Sequence, residues 1–263
     1  MRKLFFVLLL PCVLWAKERA VSLSPAVTEL IIAAGGKSHL CGRSSACDTP
    51  EAKDIPIAGD LGRPFAEKVL SLKATIIITD TEHPQAQWEL LKKCGVKLEV
   101  LSNRKTDDLP ENIRKIGRVL NLPEAEEKAR NTAEKINELR KNPPAVHKKA
   151  VILFSVAPLI SCGKDTFTAE ALALAGAENC VSHESKSYFM LSVEELFRTD
   201  PEIIFTAGIP ETSVRRYFAN RALQKLSAVK NGKIIILDAD KFCRLTPKII
   251  DAVFELRAKL ADK

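Results

Sequence analysis

The chain has 263 residues, of which 46% are hydrophobic and 28% are charged. This length accommodates one large or two medium domains whose core needs no structural staple. The formal net charge is +7, but lysines and arginines are interleaved with acidic residues and form no basic run with aromatic side chains. This pattern indicates solvated helix faces and disfavours nucleic-acid binding, although a net positive charge also suits anionic ligands or surfaces.

Residues 1–16 have the pattern of an export signal. Residues 1–3 are positively charged at two positions, residues 4–14 are apolar, and Ala16 offers a small residue for cleavage. No stretch of the chain approaches the roughly 20 apolar residues of a membrane-spanning helix. We therefore expect a protein outside the cytoplasm. A short membrane anchor and lipid attachment through Cys12 are the alternatives.

Six cysteines follow the expected signal. An even number in an oxidising compartment permits disulfides, but the sequence does not choose among the many possible pairings. No CxxC pair occurs, so neither a zinc ribbon nor a thioredoxin-like site is predicted. The six residues are Cys41, Cys47, Cys94, Cys162, Cys180 and Cys243.

A short pattern occurs twice and predicts two similar halves. In each copy a glutamate stands near the start of an amphipathic helix, and nine residues later an apolar β-branched run begins. Glu67 precedes the run at Ile76, and Glu194 precedes the run at Ile203. Two similar α/β lobes imply a cleft between them.

Apolar strand-like runs alternate with helical segments, which is typical of α/β layers. Ser24 and Pro25 supply an N-cap and a first-turn proline for a helix over 26–34. The charged stretch 123–141 has no glycine or internal proline and predicts a helix of roughly 28 Å, long enough to bridge two lobes. The other predicted elements are strands at 21–23, 76–79, 98–101, 150–154, 203–206 and 234–237, and helices at 87–93 and 247–260.

Several segments carry a family resemblance. The first is RAVSLSPAVTEL at 19–30, followed by GRSS at 42–45, DTP at 48–50 and GD at 59–60. The second half continues with SCGKD at 161–165, GAEN at 176–179, residues 222–233 and residues 240–247. In this order, they resemble the periplasmic binding proteins that serve importers of cobalamin, iron-siderophores and haem. The closest overall similarity is to the cobalamin-binding members.

The resemblance implies an α/β fold with two Rossmann-like lobes joined by a single long interlobe helix, the class III periplasmic binding protein fold. The expected division is a signal at 1–16, an N-terminal lobe at 17–122, the interlobe helix at 123–142 and a C-terminal lobe at 143–263. Such a protein is expected to hold its ligand in a largely preformed cleft and to close only modestly.

The two repeated glutamates match family positions that dock on a membrane permease. Glu67 and Glu194 are thus expected to meet permease arginines through charge-assisted contacts, which orient a reversible partner. The implied partner is an ABC importer, a permease dimer with its ATPase, served by a monomeric binding protein. The alternative is that each is a solvated first-turn glutamate, favourable beside a helix N-terminus. Glu195 is the nearby competitor for the second position.

The resemblance places ligand contacts on loops at the strand ends. Aromatic residues there offer flat contact to a macrocycle or an aromatic chelator, and arginines pair with anionic oxygens. The alternatives are ordinary packing for the aromatic residues and surface ion pairs for the arginines. The expected ligand-binding residues are Arg43, Cys47, Arg63, His83, Tyr188, Phe189, Asp240, Phe242 and Arg244.

Departures from the cobalamin-binding members count against cobalamin itself as the ligand. Where they carry aromatic residues in the first-lobe loops, this chain has Ala46, Thr49 and Leu61, and Lys241 replaces a tryptophan. A corrinoid is the favoured ligand, and a ferric siderophore or haem is the alternative. No prosthetic group is expected.

Three cysteines fall on the same cleft loops. Cys47, Cys162 and Cys243 are a hypothetical thiol cluster that either includes one disulfide or binds a soft metal. Dispersed small residues, or a pairing such as Cys162 with Cys180, are the alternatives.

Other functional classes have less support in the sequence. The four histidines are scattered, which disfavours a carrier of bare zinc or manganese. No GxSxG elbow or phosphate-binding loop occurs, so an enzyme is not expected. An extracytoplasmic sensor with the same two-lobed fold is the alternative from a different functional class.

Overall fold

The computed structural model describes residues 17–81, 86–145, 147–181 and 187–261. Within these ranges, every helix is too short or too polar to span a bilayer. The first half alternates strands with helices, in the order β1 (Ala20–Ser22), α1 (Pro25–Ala33), β2 (Leu40–Ser44), β3 (Ile57–Asp60), β4 (Arg63–Pro64), α2 (Ala66–Ser71), β5 (Ile76–Thr79), α3 (Ala86–Lys93), β6 (Lys97–Val100), α4 (Asp108–Leu120) and α5 (Ala125–Lys141).

The strands of the first half form one six-stranded sheet in the order β4-β3-β2-β1-β5-β6. All neighbours are parallel except β4, which returns antiparallel to β3. Consecutive residues of β5 point to opposite faces. Ile76 and Ile78 pack with α1 and α4, whereas Ile77 packs with Val69 of α2 and Trp88 of α3. Helices therefore cover both faces, as in a doubly wound fold.

The second half repeats this layering around a smaller sheet. Its elements are β7 (Lys148–Leu153), β8 (Ser155–Val156), β9 (Leu159–Cys162), α6 (Phe167–Ala175), β10 (Ala177–Asn179), β11 (Tyr188–Met190), α7 (Val193–Thr199), β12 (Ile203–Ala207), α8 (Glu211–Phe218), α9 (Ser227–Lys230), β13 (Ile234–Leu237), α10 (Ala239–Phe242) and α11 (Lys248–Ala261). The parallel sheet has the order β10-β7-β12-β13, and a separate antiparallel sheet has the order β11-β9-β8.

The repeated pattern occupies equivalent places in the two halves. Glu67 and Glu194 are each the second residue of a short helix, α2 and α7. The strands that follow, β5 and β12, begin at Ile76 and Ile203. Each strand pairs in parallel with the first strand of its own sheet, β1 or β7. The internal repeat is therefore structural.

Helix α5 lies between the two halves in sequence and contacts elements of both. Its face with Ala129, Thr132 and Ile136 is buried, and it packs along α4. At its end, the carbonyl of Leu139 accepts a hydrogen bond of 3.0 Å from Arg257 of α11. A long helix was predicted here, but it begins at Ala125 rather than at 123.

The predicted helix after β1 is also confirmed, with small changes at its ends. Ser24 is the N-cap, and its hydroxyl accepts the backbone N–H of Val27 at 3.1 Å. The helix runs from Pro25 to Ala33. The sequence analysis did not predict the β3–β4 hairpin or the antiparallel sheet, because their strands of two to four residues are too short to show periodicity.

Candidate ligand-binding cleft and docking helices

The carboxyl ends of the two parallel sheets face each other. Asp48 follows β2 of the first sheet, and Arg244 follows β13 and α10 of the second half. Their side chains meet, with Arg244 Nη2 2.8 Å from Asp48 Oδ2. In open α/β sheets, ligands bind in the crevice outside the carboxyl ends of the strands. The candidate site is therefore the cleft between these loops.

Arg43 holds one cleft loop in place. Its guanidinium donates hydrogen bonds to the carbonyls of Ser44, Cys47, Lys53 and Ile55 at 3.0 to 3.3 Å. These contacts fold the 44–55 segment back on the end of β2. Cys47 itself is 8% exposed, so its thiol is largely covered. Arg43 thus shapes the cleft wall, and its donors are directed into the protein.

The β3–β4 hairpin forms the lip of the first half. Gly62 turns the chain with a left-handed φ of 65°, and its N–H donates to the carbonyl of Leu23 at 2.9 Å. This bond holds the hairpin over the end of β1. Leu61, Arg63 and Phe65 are exposed around the turn. The lip therefore presents two apolar side chains and the basic side chain of Arg63, which forms no ion pair among the described residues.

Strand β11 lies beside Cys243 of the cleft loop in the second half, and its outer face is called the second lip. The strand divides its side chains between two faces. Tyr188 and Met190 are exposed by 51% and 73%, whereas Phe189 is 7% exposed and packs in the core of the second half. This alternation follows from the two-residue period of a strand. The edge of Phe154 supports Tyr188, with ring centroids 5.5 Å apart and planes at 73°. Met190 lies beyond Tyr188 on the same face.

The hydroxyl of Tyr188 is partly desolvated, although the residue is 51% exposed. Burial, together with the nearby thiols of Cys162 and Cys243, raises the pKa of Tyr188 to about 12, and a hydrogen bond with Thr168 offsets this only in part. The phenol is therefore neutral at physiological pH. Its ring offers a flat contact surface, while its hydroxyl is directed to protein.

The cysteines of the cleft are free thiols in this structure. Cys162 is buried, and although part of Cys243 is exposed, desolvation of both sulfurs raises the pKa of each thiol to about 11. Neutral thiols are poor metal ligands, because the thiolate is the form that binds. Within the described part of the chain, no group of three or more histidine, cysteine or acidic residues is arranged to hold a metal ion.

Asp80 directly follows the carboxyl end of β5. Burial raises the pKa of its carboxyl group, although Ser24 offers a hydrogen bond that acts in the opposite direction. Its Oδ1 atom is buried without a hydrogen-bond partner among the described residues. A carboxyl group in such a place is suited to donate or accept one hydrogen bond with a ligand in the cleft.

Ion pairs of Arg244 hold the loop after β13 in place. Arg244 Nη1 lies 2.8 Å from Glu29 Oε1 of α1, and Nη2 lies 3.0 Å from Asp240 Oδ1 as well as close to Asp48. These partners raise the pKa of the Arg244 guanidinium against the effect of its own desolvation. Asp240 is exposed, whereas Phe242 is 4% exposed and its carbonyl accepts a hydrogen bond from Thr168 at 3.0 Å.

The structure thus divides the predicted ligand-binding set into groups. Exposed side chains at the cleft lips and loops are Arg63, Tyr188 and Asp240. The group directed into the protein or held by ion pairs comprises Arg43, Cys47, Phe189, Phe242 and Arg244. His83 lies outside the described residues.

Three exposed or half-buried residues at the site were not singled out from the sequence: Phe65, Asp80 and Met190. Period-two alternation along 188–190 would have grouped Met190 with Tyr188 and placed Phe189 on the opposite face. The placement of Phe65 depends on the β3–β4 hairpin, which no local pattern indicates, whereas Asp80 directly follows the strand predicted at 76–79.

The docking candidates lie on the surface. Glu67 of α2 and Glu194 of α7 are both exposed, and neither carboxylate forms an ion pair with any residue in the described ranges. Glu195, the competitor, is more covered, with a side chain that is 17% exposed and 3.5 Å from Arg198. Its backbone N–H donates to Ser192, the N-cap of α7. The geometry therefore favours Glu194 over Glu195 for an external contact.

The chain resembles known binding proteins over most of its length. The vitamin B12-binding protein of Pectobacterium carotovorum subsp. carotovorum (strain PC1) is 28% identical over 251 residues, covering 92% of this chain and 88% of the relative. The crystal structure of the periplasmic vitamin B12 binding protein BtuF of Vibrio cholerae has a TM-score of 0.78 at 27% identity and covers 94% of this chain and 98% of its own. The periplasmic heme binding protein HutB of the same organism has a TM-score of 0.82 at 25% identity, with 93% and 99% covered.

These likenesses confirm the predicted class III α/β fold. The family match extends over residues 21–241, which reach from β1 to α10. The chain is a member of the periplasmic binding protein family, the substrate-binding proteins.

Proposed function

We propose that this protein captures a metal-containing cofactor or chelate, with a corrinoid favoured, between its two lobes outside the cytoplasm and delivers it to an ABC importer. The observation that carries the proposal is that each half exposes apolar side chains beside its cleft loops. Leu61 and Phe65 are exposed on one lip, and Tyr188 and Met190 are exposed on the other. Exposed apolar side chains on both sides of a crevice suit a large, flat, partly apolar ligand.

We propose for the lobes the division that the sequence predicts. The N-terminal lobe comprises residues 17–122, the interlobe helix 123–142 and the C-terminal lobe 143–263, after an export signal at 1–16. The partners are a permease dimer with its ATPase, and Glu67 and Glu194 are the residues that meet it. The protein acts as a monomer and performs no catalysis in this scheme.

Tyr188 offers a corrinoid a flat contact surface. Its side chain is 51% exposed, which suits contact through the ring face. The vitamin B12-binding relatives point to the same class of ligand.

Haem is the second candidate. The likeness to the heme binding protein HutB is as extensive as that to BtuF, and Tyr188 is the tyrosine at the cleft lip. A ferric siderophore would instead use the exposed guanidinium of Arg63 for its anionic oxygens.

The test is a ligand panel on the protein from residue 17 onward. Cyanocobalamin, dicyanocobinamide, haemin and a set of ferric siderophores are titrated by calorimetry, and visible absorbance spectra are recorded for each. We expect saturable 1:1 binding of a corrinoid at micromolar or tighter Kd. Binding of haemin alone would replace the corrinoid by the second candidate, and binding of no member of the panel would favour the sensor interpretation.

A further inference from the structure

Glu29 is a nearly buried carboxylate that joins the two lobes directly. It lies on α1 of the first lobe, and its side chain is only 6% exposed. Its Oε1 accepts a hydrogen bond of 2.8 Å from Arg244 of the second lobe, and its Oε2 lies 2.9 Å from Lys248 Nζ in an ion pair that lacks hydrogen-bond geometry. Because a charge so little exposed to water is costly unless it is paired, Glu29 depends on the second lobe for its stability.

Arg244 extends this contact to the cleft loops. The same guanidinium binds Asp48 of the first lobe at 2.8 Å and Asp240 of its own lobe at 3.0 Å. The loop after β2 and the loop after β13 are therefore tied to each other through one side chain. The hydrogen bond from Arg244 also lowers the pKa of Asp48, so this carboxylate stays charged at physiological pH.

The contact between the two lobes at Glu29 is not purely apolar. A cavity of about 190 Å³ lies between α1 and the 246–248 segment. Its lining includes Glu29 and Lys248 together with Thr49 and Thr246. The charged side chains span this space, so ion pairs contribute directly to the relative position of the lobes here.

We propose that Glu29 is the positioning residue of an interlobe clamp. By holding Arg244 and Lys248, it fixes the separation of the 44–49 and 238–248 loops and so slows the escape of a ligand from the cleft. The effect on ligand release rests on the proposed function. The effect on the lobes themselves does not, because it depends only on ion pairs between side chains of this chain.

The variant Glu29→Gln keeps the size of the side chain and removes its charge. With cyanocobalamin, or haemin if that is the ligand bound in the panel, we expect the dissociation rate to rise roughly fivefold or more, with the association rate little changed. The matched control is Glu111→Gln, since Glu111 pairs with Arg118 at 2.8 Å within α4 alone. The control is expected to release ligand at the wild-type rate.

A second variant keeps the test valid if Glu29→Gln misfolds. Lys248 is half-exposed, so Lys248→Met is expected to fold and to raise the dissociation rate in the same direction. The two substitutions combined should raise it by less than the product of the separate effects, because they remove one shared contact.

Hydrogen exchange of the ligand-free protein tests the clamp independently of the ligand. Amides of 44–49 and 238–248 should exchange faster in Glu29→Gln, while those of β12 stay protected. Unchanged exchange in these loops, or equal acceleration in Glu111→Gln, would overturn the clamp. If the ligand panel fails but the loops do loosen, the proposed function is wrong and the clamp stands.

Discussion

Arg140 Nη2 lies 2.7 Å from Glu170 Oε1, which joins the end of α5 to the first turn of α6. The same guanidinium binds Asp107 beside α4 at 2.7 Å, and the backbone N–H of Thr106 donates to the other oxygen of Glu170 at 2.9 Å. Among the described residues, ion pairs thus connect the two lobes at Arg140, at the end of the long helix, and at Glu29 on α1.

The first prediction concerns this second connection. Arg140→Met should lower the free energy of unfolding by about 1 to 3 kcal/mol, because it leaves the partly covered carboxylate of Glu170 without its cation. Urea unfolding at pH 7 measures the change. The control Arg118→Met removes an exposed pair with Glu111 and should cost about 0 to 1 kcal/mol. Equal losses in both variants would contradict a special role for Arg140.

The second prediction concerns delivery to the importer. The double variant Glu67→Arg with Glu194→Arg should bind ligand with wild-type Kd but lose most of its stimulation of ATP hydrolysis by the reconstituted importer. The reason is that two carboxylates would be replaced by charges that repel permease arginines. Each single variant should lose part of the stimulation.

The matched control for docking is Glu134→Arg, since Glu134 is an exposed glutamate of α5 with a side chain that is 68% exposed. It should stimulate ATP hydrolysis as the wild type does. Full stimulation by the double variant would remove the docking assignment and favour the sensor interpretation.

The third prediction separates the two macrocyclic ligands at Tyr188. For a corrinoid, Tyr188→Ala should weaken binding about tenfold, because the flat ring contact is lost, whereas Tyr188→Phe should be neutral. For haem held through the phenol oxygen, Tyr188→Phe should change the visible spectrum of the bound haem. The control is Tyr217→Phe, the other tyrosine of the chain, which lies on α8. A tenfold loss in the control would rule out a specific contact at Tyr188.

The fourth prediction concerns the pH dependence of stability at Asp80. Burial raises the pKa of this carboxyl group in the folded protein above its unfolded value of about 3.9, so the folded state holds the proton more tightly. Stability from this group is therefore present at low pH and is lost as the pH rises through the folded pKa.

Replacement of Asp80 by asparagine removes this titration. Asp80→Asn should be more stable than the wild type at pH 7, and the difference should shrink towards pH 4. Urea midpoints measured across this range check the prediction. A variant less stable than the wild type at pH 7 would mean that the ionised carboxylate has a partner that stabilises it. Weaker ligand binding by the more stable variant would mark Asp80 as a ligand contact.

Much of the scaffold could be predicted from sequence because the signals are local. Ser24 and Pro25 mark a helix start through capping and a fixed φ, and the run at Ile76 marks a buried strand through its length and β-branching. The short strands around Arg63 and Tyr188 give no such signal, and only their pairing with distant strands defines them.

The residues of the site were harder to predict from sequence, because their positions also depend on contacts with distant parts of the chain. Phe189 and Phe242 have the chemistry of ligand contacts, but strand register and helix packing turn both into the core. Arg244 has the chemistry of an anion-binding residue, but it meets carboxylates that lie 215 and 196 residues away in the chain. Such contacts arise only when the two lobes are brought together.

The sequence by itself determined the α/β class, the repeated helix–strand unit with Glu67 and Glu194, and the long connecting helix, because periodicity, capping and composition are properties of neighbouring residues. Only the tertiary structure decided which cleft-loop residues face outward and that Glu29 joins the lobes. Burial and ion pairing depend on which distant side chains share a space, and free energy selects that arrangement for the folded chain as a whole.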